Sequence, residues 1–198
     1  MAPAKRYDRA YFEKWYRSRD RVHSPGELPR KVALAVATAE YFLRRPIKTV
    51  LDVGCGEGAW LPHLRALRPR ITYTGLDSSD YVVGRFGSSR NIRKAAFGDL
   101  PSLNFTTKFD LIVCSDVMHY LPESDIRSGV RALAGFAAGL AYFEVLTAED
   151  DVVGDLEGMA RRPSAWYRKV FTAAGFAGVA PYCWLIREIA DDSAGLER

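Results

Sequence analysis

The sequence has little of what marks a secreted, membrane-spanning or metal-held protein. Its three cysteines, Cys55, Cys114 and Cys183, are odd in number, far apart and never in CxxC spacing. That excludes a disulfide framework and a zinc ribbon, and leaves them as buried thiols. No HExxH or paired-histidine pattern offers a metal a site. No apolar run approaches the roughly 18–20 residues of a membrane-spanning helix, and Met1 to Arg21 is charged and aromatic rather than signal-like. The expectation is a cytoplasmic protein with no membrane partner. Internal repeats, low-complexity tracts and Gly/Ser linkers are also missing, so the 198 residues are expected to form a single domain. A chain of that length buries a core without covalent staples.

Charge is present but unevenly distributed. The net charge is +4, yet residues 1–48 hold twelve Lys or Arg against five acids, whereas 144–160 hold six acids and no Lys or Arg. A basic segment attracts anions or nucleic acid, although most charge runs are solvated helix faces.

Short β-branched runs alternate with longer helix-like stretches, the pattern of a parallel sheet covered by helices on both faces. The spacing predicts strands at Thr49–Val53, Ile71–Leu76, Ile92–Phe97, Phe109–Cys114, Leu140–Leu146, Phe176–Ala180 and Trp184–Ile189. Helices are predicted near Asp8–Arg17, Pro29–Leu43, Ala59–Leu67, Ser79–Phe86, Pro122–Ala137 and Ser164–Ala174. The second of these stops before Arg44-Arg45-Pro46, as the residue ahead of a proline leaves the helical region. Three parts follow: an N-terminal helical cover (1–45), a core (46–146), and a loop with the last helix and strands (147–198).

The sharpest signal is Val50-Leu51-Asp52-Val53-Gly54-Cys55-Gly56-Glu57-Gly58, an apolar strand running into closely spaced glycines and then a helix. Glycines at such a turn let the backbone approach a ligand, and the helix start offers unpaired N–H groups. A tight turn that merely needs glycine is the plainer alternative. Asp77 tilts the balance, because it ends the next strand nineteen residues after Gly58, where an acid accepts hydrogen bonds from ribose hydroxyls. Dinucleotide dehydrogenases share that spacing. Further along lie Gly98-Asp99-Leu100 and Phe109-Asp110-Leu111-Ile112-Val113.

Taken together, in this order and spacing, these motifs resemble those of the class I S-adenosylmethionine-dependent methyltransferases, over residues 48–146. The resemblance implies a Rossmann-like α/β fold, doubly wound, with a mostly parallel seven-stranded sheet whose final strand runs antiparallel between its neighbours. The tight connection around Pro181 suits such a hairpin, since a parallel crossover needs a dozen or more residues. The resemblance also implies S-adenosyl-L-methionine as cofactor. Gly54, Cys55 and Gly56 would line its methionine part by their backbone, and Asp52 would orient the turn and the amino group. Asp77 would bind the ribose hydroxyls with Ser78 beside it, Asp99 would accept from the adenine amino group, and the Leu100 N–H would donate to the ring. Ser115 and Asp116 would close the pocket near the sulfonium.

The family places its acceptor site beyond the fourth strand, where this chain reads Met118-His119-Tyr120. Only the N-terminal segment and the long loop 147–163 are free to cover that end of the sheet. Met118, His119 and Tyr120 are therefore expected at the acceptor with Tyr11 and Trp15 as a shield, and His119 is the candidate catalytic residue, nearest the acceptor atom. A packed, hydrogen-bonded histidine is its alternative. His23 and His63 carry no such context. Methyl transfer from a sulfonium needs alignment above all, so no metal is expected, although Glu149, Asp150, Asp151 and Asp155 suit a hard cation if their loop folds back.

The acceptor itself is expected to be a small molecule. A nucleic-acid methyltransferase is the runner-up, from the basic first 48 residues with Tyr7, Tyr11, Phe12, Trp15 and Tyr16 interleaved. Yet Tyr7, Tyr11 and Trp15 recur every four residues, the period of a helix face packed on a core or folded over a pocket. The Asn/Asp-Pro-Pro-Tyr motif of enzymes methylating base amino groups is also missing, with Ser115-Asp116-Val117-Met118 at its place. A nicotinamide dehydrogenase is disfavoured by GxGxG instead of GxGxxG and by the lack of Tyr-x-x-x-Lys. A non-catalytic interaction domain is disfavoured because each cofactor position keeps a suitable residue.

Overall fold

The computed structural model describes residues 7–17, 26–151 and 155–195. Within them the chain forms β1 (Thr49–Val53), β2 (Thr72–Asp77), β3 (Ile92–Lys94), β4 (Phe109–Ser115), β5 (Ala137–Glu144), β6 (Phe176–Ala180) and β7 (Cys183–Ile186). The helices are α1 (Arg9–Phe12), which continues as a π-helical turn over Glu13–Arg17, α2 (Glu27–Leu43), α3 (Trp60–Leu67), α4 (Asp80–Arg90), α5 (Glu123–Phe136), α6 (Ser164–Ala173) and α7 (Arg187–Asp191). His23 lies outside the described residues, as do Arg19 and Arg21 of the basic segment.

The strands make one seven-stranded sheet in the order β3-β2-β1-β4-β5-β7-β6. β1 pairs in parallel with β2 on one side and β4 on the other, so the strand order reverses between β1 and β4. In open α/β sheets that reversal opens a crevice outside the carboxyl ends of the strands. β7 runs antiparallel to both β5 and β6 and lies between them, as expected from the short connection at Pro181.

Both faces of the sheet are apolar because both are covered. Leu51, Val53, Ile112, Cys114 and Phe143 pack with Ile126, Val130 and Leu133 of α5 and with Tyr167 and Phe171 of α6. Val50, Leu111, Val113, Leu140 and Tyr142 pack on the other face with Val32, Val36 and Ala39 of α2 and with Trp60 and Leu64 of α3. Alternate residues of one strand thus serve opposite cores, which is why the strands read as continuous apolar runs.

Several boundaries differ from the sequence expectation, each for a local reason. The third strand ends at Lys94, and Phe97–Ser102 is a 3-10 helix whose Asp99 carboxylate accepts the Ala96 N–H at 2.8 Å. The fifth strand starts at Ala137, directly after α5, and ends at Glu144; Val145 and Leu146 lie beyond its pairing with β4. The last strand stops at Ile186, where its pairing with Phe176 ends, and Arg187–Asp191 turns into a helix. α4 extends to Arg90 and starts at a Ser79 cap, whose Oγ accepts the Val82 N–H at 3.2 Å.

At the amino ends of the strands, Asp110 works as a staple. It accepts two hydrogen bonds from Arg45, at 3.1 and 2.7 Å, and the Lys48 N–H at 2.6 Å. Burial alone would raise the Asp110 pKa, but Arg45 and the backbone donors outweigh it and hold the carboxyl below its usual range. Asp110 is thus far from the crevice.

Candidate functional site

The crevice is built first from backbone. β1 ends in a turn in which Gly54, Gly56 and Gly58 all have positive φ, at 68°, 52° and 77°. Positive φ costs a residue with a Cβ about 1–2 kcal/mol, and space adds to this at Gly54. A Cβ there would lie 2.3 Å from Cγ2 of Val117. The turn is tied to β2, since the Gly54 and Cys55 N–H groups donate to the Leu76 carbonyl at 2.8 and 3.1 Å. Asp77 completes the tie: its Oδ2 accepts the Gly56 N–H at 2.8 Å and its Oδ1 the Ser79 N–H at 2.9 Å. Each carboxylate oxygen keeps acceptor capacity for a further donor.

Around this turn lies an open-mouthed cavity of about 750 Å³, its mouth included. Its floor and walls come from the strand ends: Gly54 and Gly56 after β1, Asp77 and Ser78 after β2, Ala95–Phe97 after β3, and Ser115–Val117 after β4. Tyr120 and Leu121 follow from the 3-10 turn that begins at Met118. Asp116 sits at φ 58°, a left-handed conformation that Asp tolerates better than most residues, at the point where β4 turns into this wall.

The roof is the N-terminal aromatic segment. Asp8 caps α1 by accepting the Tyr11 N–H at 3.1 Å, and Tyr7, Tyr11, Phe12 and Tyr16 all line the cavity. Tyr11 packs edge-on against both Tyr7 and Phe12, at 5.0 and 5.5 Å between ring centres. Tyr16 leaves 41% of its surface exposed, but its hydroxyl reaches in over Gly56. Polar ties hold this segment down. The Ser79 Oγ donates to the Tyr7 carbonyl at 2.5 Å, Arg17 donates to Glu57 at 2.5 Å, and the Tyr11 hydroxyl donates to Asp155 at 3.0 Å. The Tyr120 hydroxyl donates to the Asp155 carbonyl at 2.7 Å, so roof, wall and loop meet at one residue.

The electrostatics are acidic. Among the described residues lining the cavity are Asp77 and Asp116 and no Lys, Arg or His. Asp52 lies beneath the turn, where its carboxylate accepts the Tyr73 hydroxyl at 2.8 Å. Burial pushes its pKa up to about 7, with the nearby Asp77 adding to the shift and the Tyr73 hydrogen bond opposing it. Burial raises Asp77 as well, against the Ser79 and Gly56 N–H groups. Tyr11 and Tyr120 are held well above the ordinary tyrosine range by burial and, in part, by the Asp155 charge. A site with this much negative charge under poor solvation accepts a cation and hydrogen-bond donors.

Of the residues expected at the site, Gly54, Gly56, Asp77, Ser78, Ser115, Asp116, Tyr11 and Tyr120 line the cavity. Asp52 and Cys55 are buried behind the turn rather than on the wall. At the end expected to take adenine, the lining differs from the expected residues. Asp99 turns its carboxylate back onto the Ala96 N–H and Leu100 is fully buried, so the wall is Ala95–Phe97 instead. His119 and Met118 are also corrected: both are fully buried in the core under the 3-10 turn, off the wall. The His119 Nδ1 accepts the Leu146 N–H at 3.4 Å, and its carbonyl accepts the Ala160 N–H at 2.8 Å. His119 therefore braces both ends of the loop, the packed-histidine alternative. Trp15 stands outside the cavity with the Lys14 ammonium 4.4 Å from its ring. Asp150 accepts the Thr147 N–H and Glu149 the Ser164 N–H, and among the described residues no three His, Cys, Asp or Glu gather as a metal set.

Tyr7, Phe12 and Tyr16 also line the cavity, although none was expected as a site residue, and of the three only Tyr7 belongs to the four-residue repeat with Tyr11 and Trp15. Sequence reasoning also missed Lys31 and Glu144, which meet at 2.5 Å behind Ser115. No local pattern links two residues on separate elements.

A family model described as a methyltransferase domain matches residues 16–179. A trans-aconitate 2-methyltransferase from Deinococcus radiodurans is 33% identical over 81 residues, which is 40% of this chain and 30% of that protein. The match thus spans about a third of the length of that curated relative. Among solved structures, a sugar N-methyltransferase from a Streptoalloteichus species superposes with a TM-score of 0.67 at 15% identity, covering 89% of this chain and 92% of the other. An amino pentose methyltransferase from Micromonospora echinaspora, solved with SAM bound, gives 0.63 at 17% identity over 92% and 97% of the two chains.

Proposed function

The chain belongs to the methyltransferase-domain family, and from this premise we propose that it is an S-adenosylmethionine-dependent methyltransferase acting on a small-molecule acceptor. The observation that carries the reading is the linkage of Asp77 to the glycine turn, because a carboxylate fixed by two N–H groups, with lone pairs left over, is made to receive paired hydroxyls. The turn needs glycine, since a Cβ at Gly54 would lie 2.3 Å from Val117, and the acidic wall suits a molecule carrying sulfonium and ammonium charges. When bound, S-adenosylmethionine supplies a methyl group activated by its sulfonium. The protein's part is to hold the ribose side at Asp77 and Ser78, to flank the methionine side with Gly54, Gly56 and Asp116, and to exclude water with the roof. Alignment of this kind lowers barriers by roughly 7–11 kcal/mol in well-oriented systems.

A small acceptor is favoured because four of the five aromatic residues at 7–17 turn inward as a roof. Tyr7, Tyr11, Phe12 and Tyr16 line the cavity instead of offering a stacking platform to bases. The decisive experiment is calorimetric titration with S-adenosylhomocysteine and, separately, NAD, followed by consumption of methyl-labelled cofactor in cell extract. Binding of the homocysteine compound alone, with label passing to a low-molecular-weight product, is the expected outcome. Absence of binding by folded protein would overturn the reading, and label in RNA or DNA would replace the small acceptor.

A further inference from the structure

One part of the cavity wall is backed by buried charge. The Ser115 Oγ, at the carboxyl end of β4, donates to Glu144 Oε2 at 2.5 Å. The other Glu144 oxygen lies 2.5 Å from the Lys31 ammonium, which lies 2.6 Å from Glu27. The Lys31 and Glu144 side chains are only 13% and 10% exposed. Desolvation cancels much of what such an ion pair gains, and apolar residues of the same volume hold a fold together as well. The pair is therefore better explained by what it does to Ser115.

A carboxylate only accepts hydrogen bonds, so the single Ser115 proton is committed to Glu144 and the hydroxyl offers lone pairs on its remaining side. The Tyr11 and Tyr120 hydroxyls are oriented in the same sense, since both give their protons to Asp155. Asp116 adds a carboxylate, and no Lys, Arg or His lines the cavity among the described residues. The wall at the β4 end is thus a bank of hydrogen-bond acceptors. A carboxylate ligand meets repulsion there, whereas an amine or hydroxyl finds partners.

Resting on the methyltransferase reading, we propose that the methylated group is an N–H or O–H nucleophile, an amine or hydroxyl and not a carboxylate, received by Ser115 with Glu144 as its positioning residue. In the transfer the acceptor's lone pair forms the new bond to the methyl carbon as the carbon–sulfur bond breaks and its electron pair stays on sulfur. The acceptor's proton passes to Ser115 Oγ while the Ser115 proton moves to Glu144 Oε2. Lys31 keeps Glu144 in place, and burial, which would lower the Lys31 pKa, is outweighed by the hydrogen bonds to Glu144 and Glu27, so the ammonium persists.

The test is calorimetry on the full chain saturated with S-adenosylhomocysteine, using benzylamine, benzyl alcohol and benzoate as probes. Failure to bind S-adenosylhomocysteine would strike the methyltransferase reading itself. With it bound, benzylamine and benzyl alcohol are expected to bind about tenfold more tightly than benzoate, the ratio supplied by one hydrogen bond gained and the repulsion of benzoate by Asp116. In Glu144→Gln the amide donates to Ser115, turns its proton into the cavity and moves the ratio toward parity. Ser115→Ala leaves no charge unpaired, because Glu144 keeps Lys31, and lowers the same ratio. Benzoate binding as well as the amine, no probe binding at millimolar concentration, or an unchanged ratio in whichever variant folds would overturn the proposal. A purely structural Glu144 would alter stability and leave the ratio alone.

Discussion

At the scale of single residues, two aspartates, Asp77 at the end of β2 and Asp99 in the 3-10 helix after β3, have opposite fates. Asp77 reaches the cavity, and Asp77→Ala is expected to weaken S-adenosylhomocysteine binding about ten- to a hundredfold, the loss of one or two hydrogen bonds to a carboxylate. Calorimetry on folded variant reads this directly. Asp99→Ala is expected to do less to affinity, since its carboxylate serves the Ala96 N–H and its loss removes a cap of roughly 1 kcal/mol. Asp52 makes a different prediction. Its pKa of about 7 lies above the unfolded value of ~3.9, so the folded state holds the proton more tightly than the unfolded one. Stability is then fullest below about pH 4, falls as pH rises toward 7, and levels off above. Asp52→Asn should abolish that slope, raising the melting temperature of the ligand-free protein at pH 8 more than at pH 5. Equal shifts at both pH values would contradict it.

At the scale of elements, the glycine turn carries the sharpest constraint. Gly54→Ala combines positive φ with the Val117 approach at 2.3 Å, and is expected to cost about 1–3 kcal/mol of stability and most of the cofactor affinity. Thermal melting and calorimetry together check it, and wild-type values in both would show that the turn yields. This turn was legible in the sequence because glycine spacing and Asp77 are local signatures of one strand–turn–helix unit. The 3-10 turns were not legible: Phe97 looks like the end of a strand, and its departure is set by the Asp99 bond to the Ala96 N–H. His119 was misjudged for a similar reason. A position after a strand end suggests a ligand, but the 3-10 turn from Met118 to Tyr120 sends Met118 and His119 inward and Tyr120 to the wall. The Lys31–Glu144 contact depends on α2 crossing β5, a packing relation beyond any short-range pattern.

At the scale of the whole molecule, the sheet separates two tasks. Its carboxyl edge is strained and acidic, and its amino edge is held by the Arg45–Asp110 staple. Asp110→Asn is expected to lower stability by roughly 1.5–3 kcal/mol while leaving S-adenosylhomocysteine affinity within a few-fold. Its depressed pKa makes the wild-type contribution present at neutral pH and lost as pH falls below the usual carboxylate range, so variant and wild type should converge in acid. Urea titrations at pH 7 and pH 3 would show this, and an equal gap at both would count against the staple.

The roof has a kinetic consequence. Because Tyr7–Arg17 lies over the glycine turn, a molecule seated against Asp77 is expected to leave more readily once Arg17 parts from Glu57 and Ser79 from Tyr7. Turnover would then be ordered, with cofactor first in and its demethylated product last out, and paced by roof opening instead of bond making. Product inhibition should accordingly be competitive toward the cofactor and noncompetitive toward the acceptor. Arg17→Ala should quicken the escape of S-adenosylhomocysteine in stopped-flow chase experiments, more at low salt than at high, as the ion pair it removes is screened.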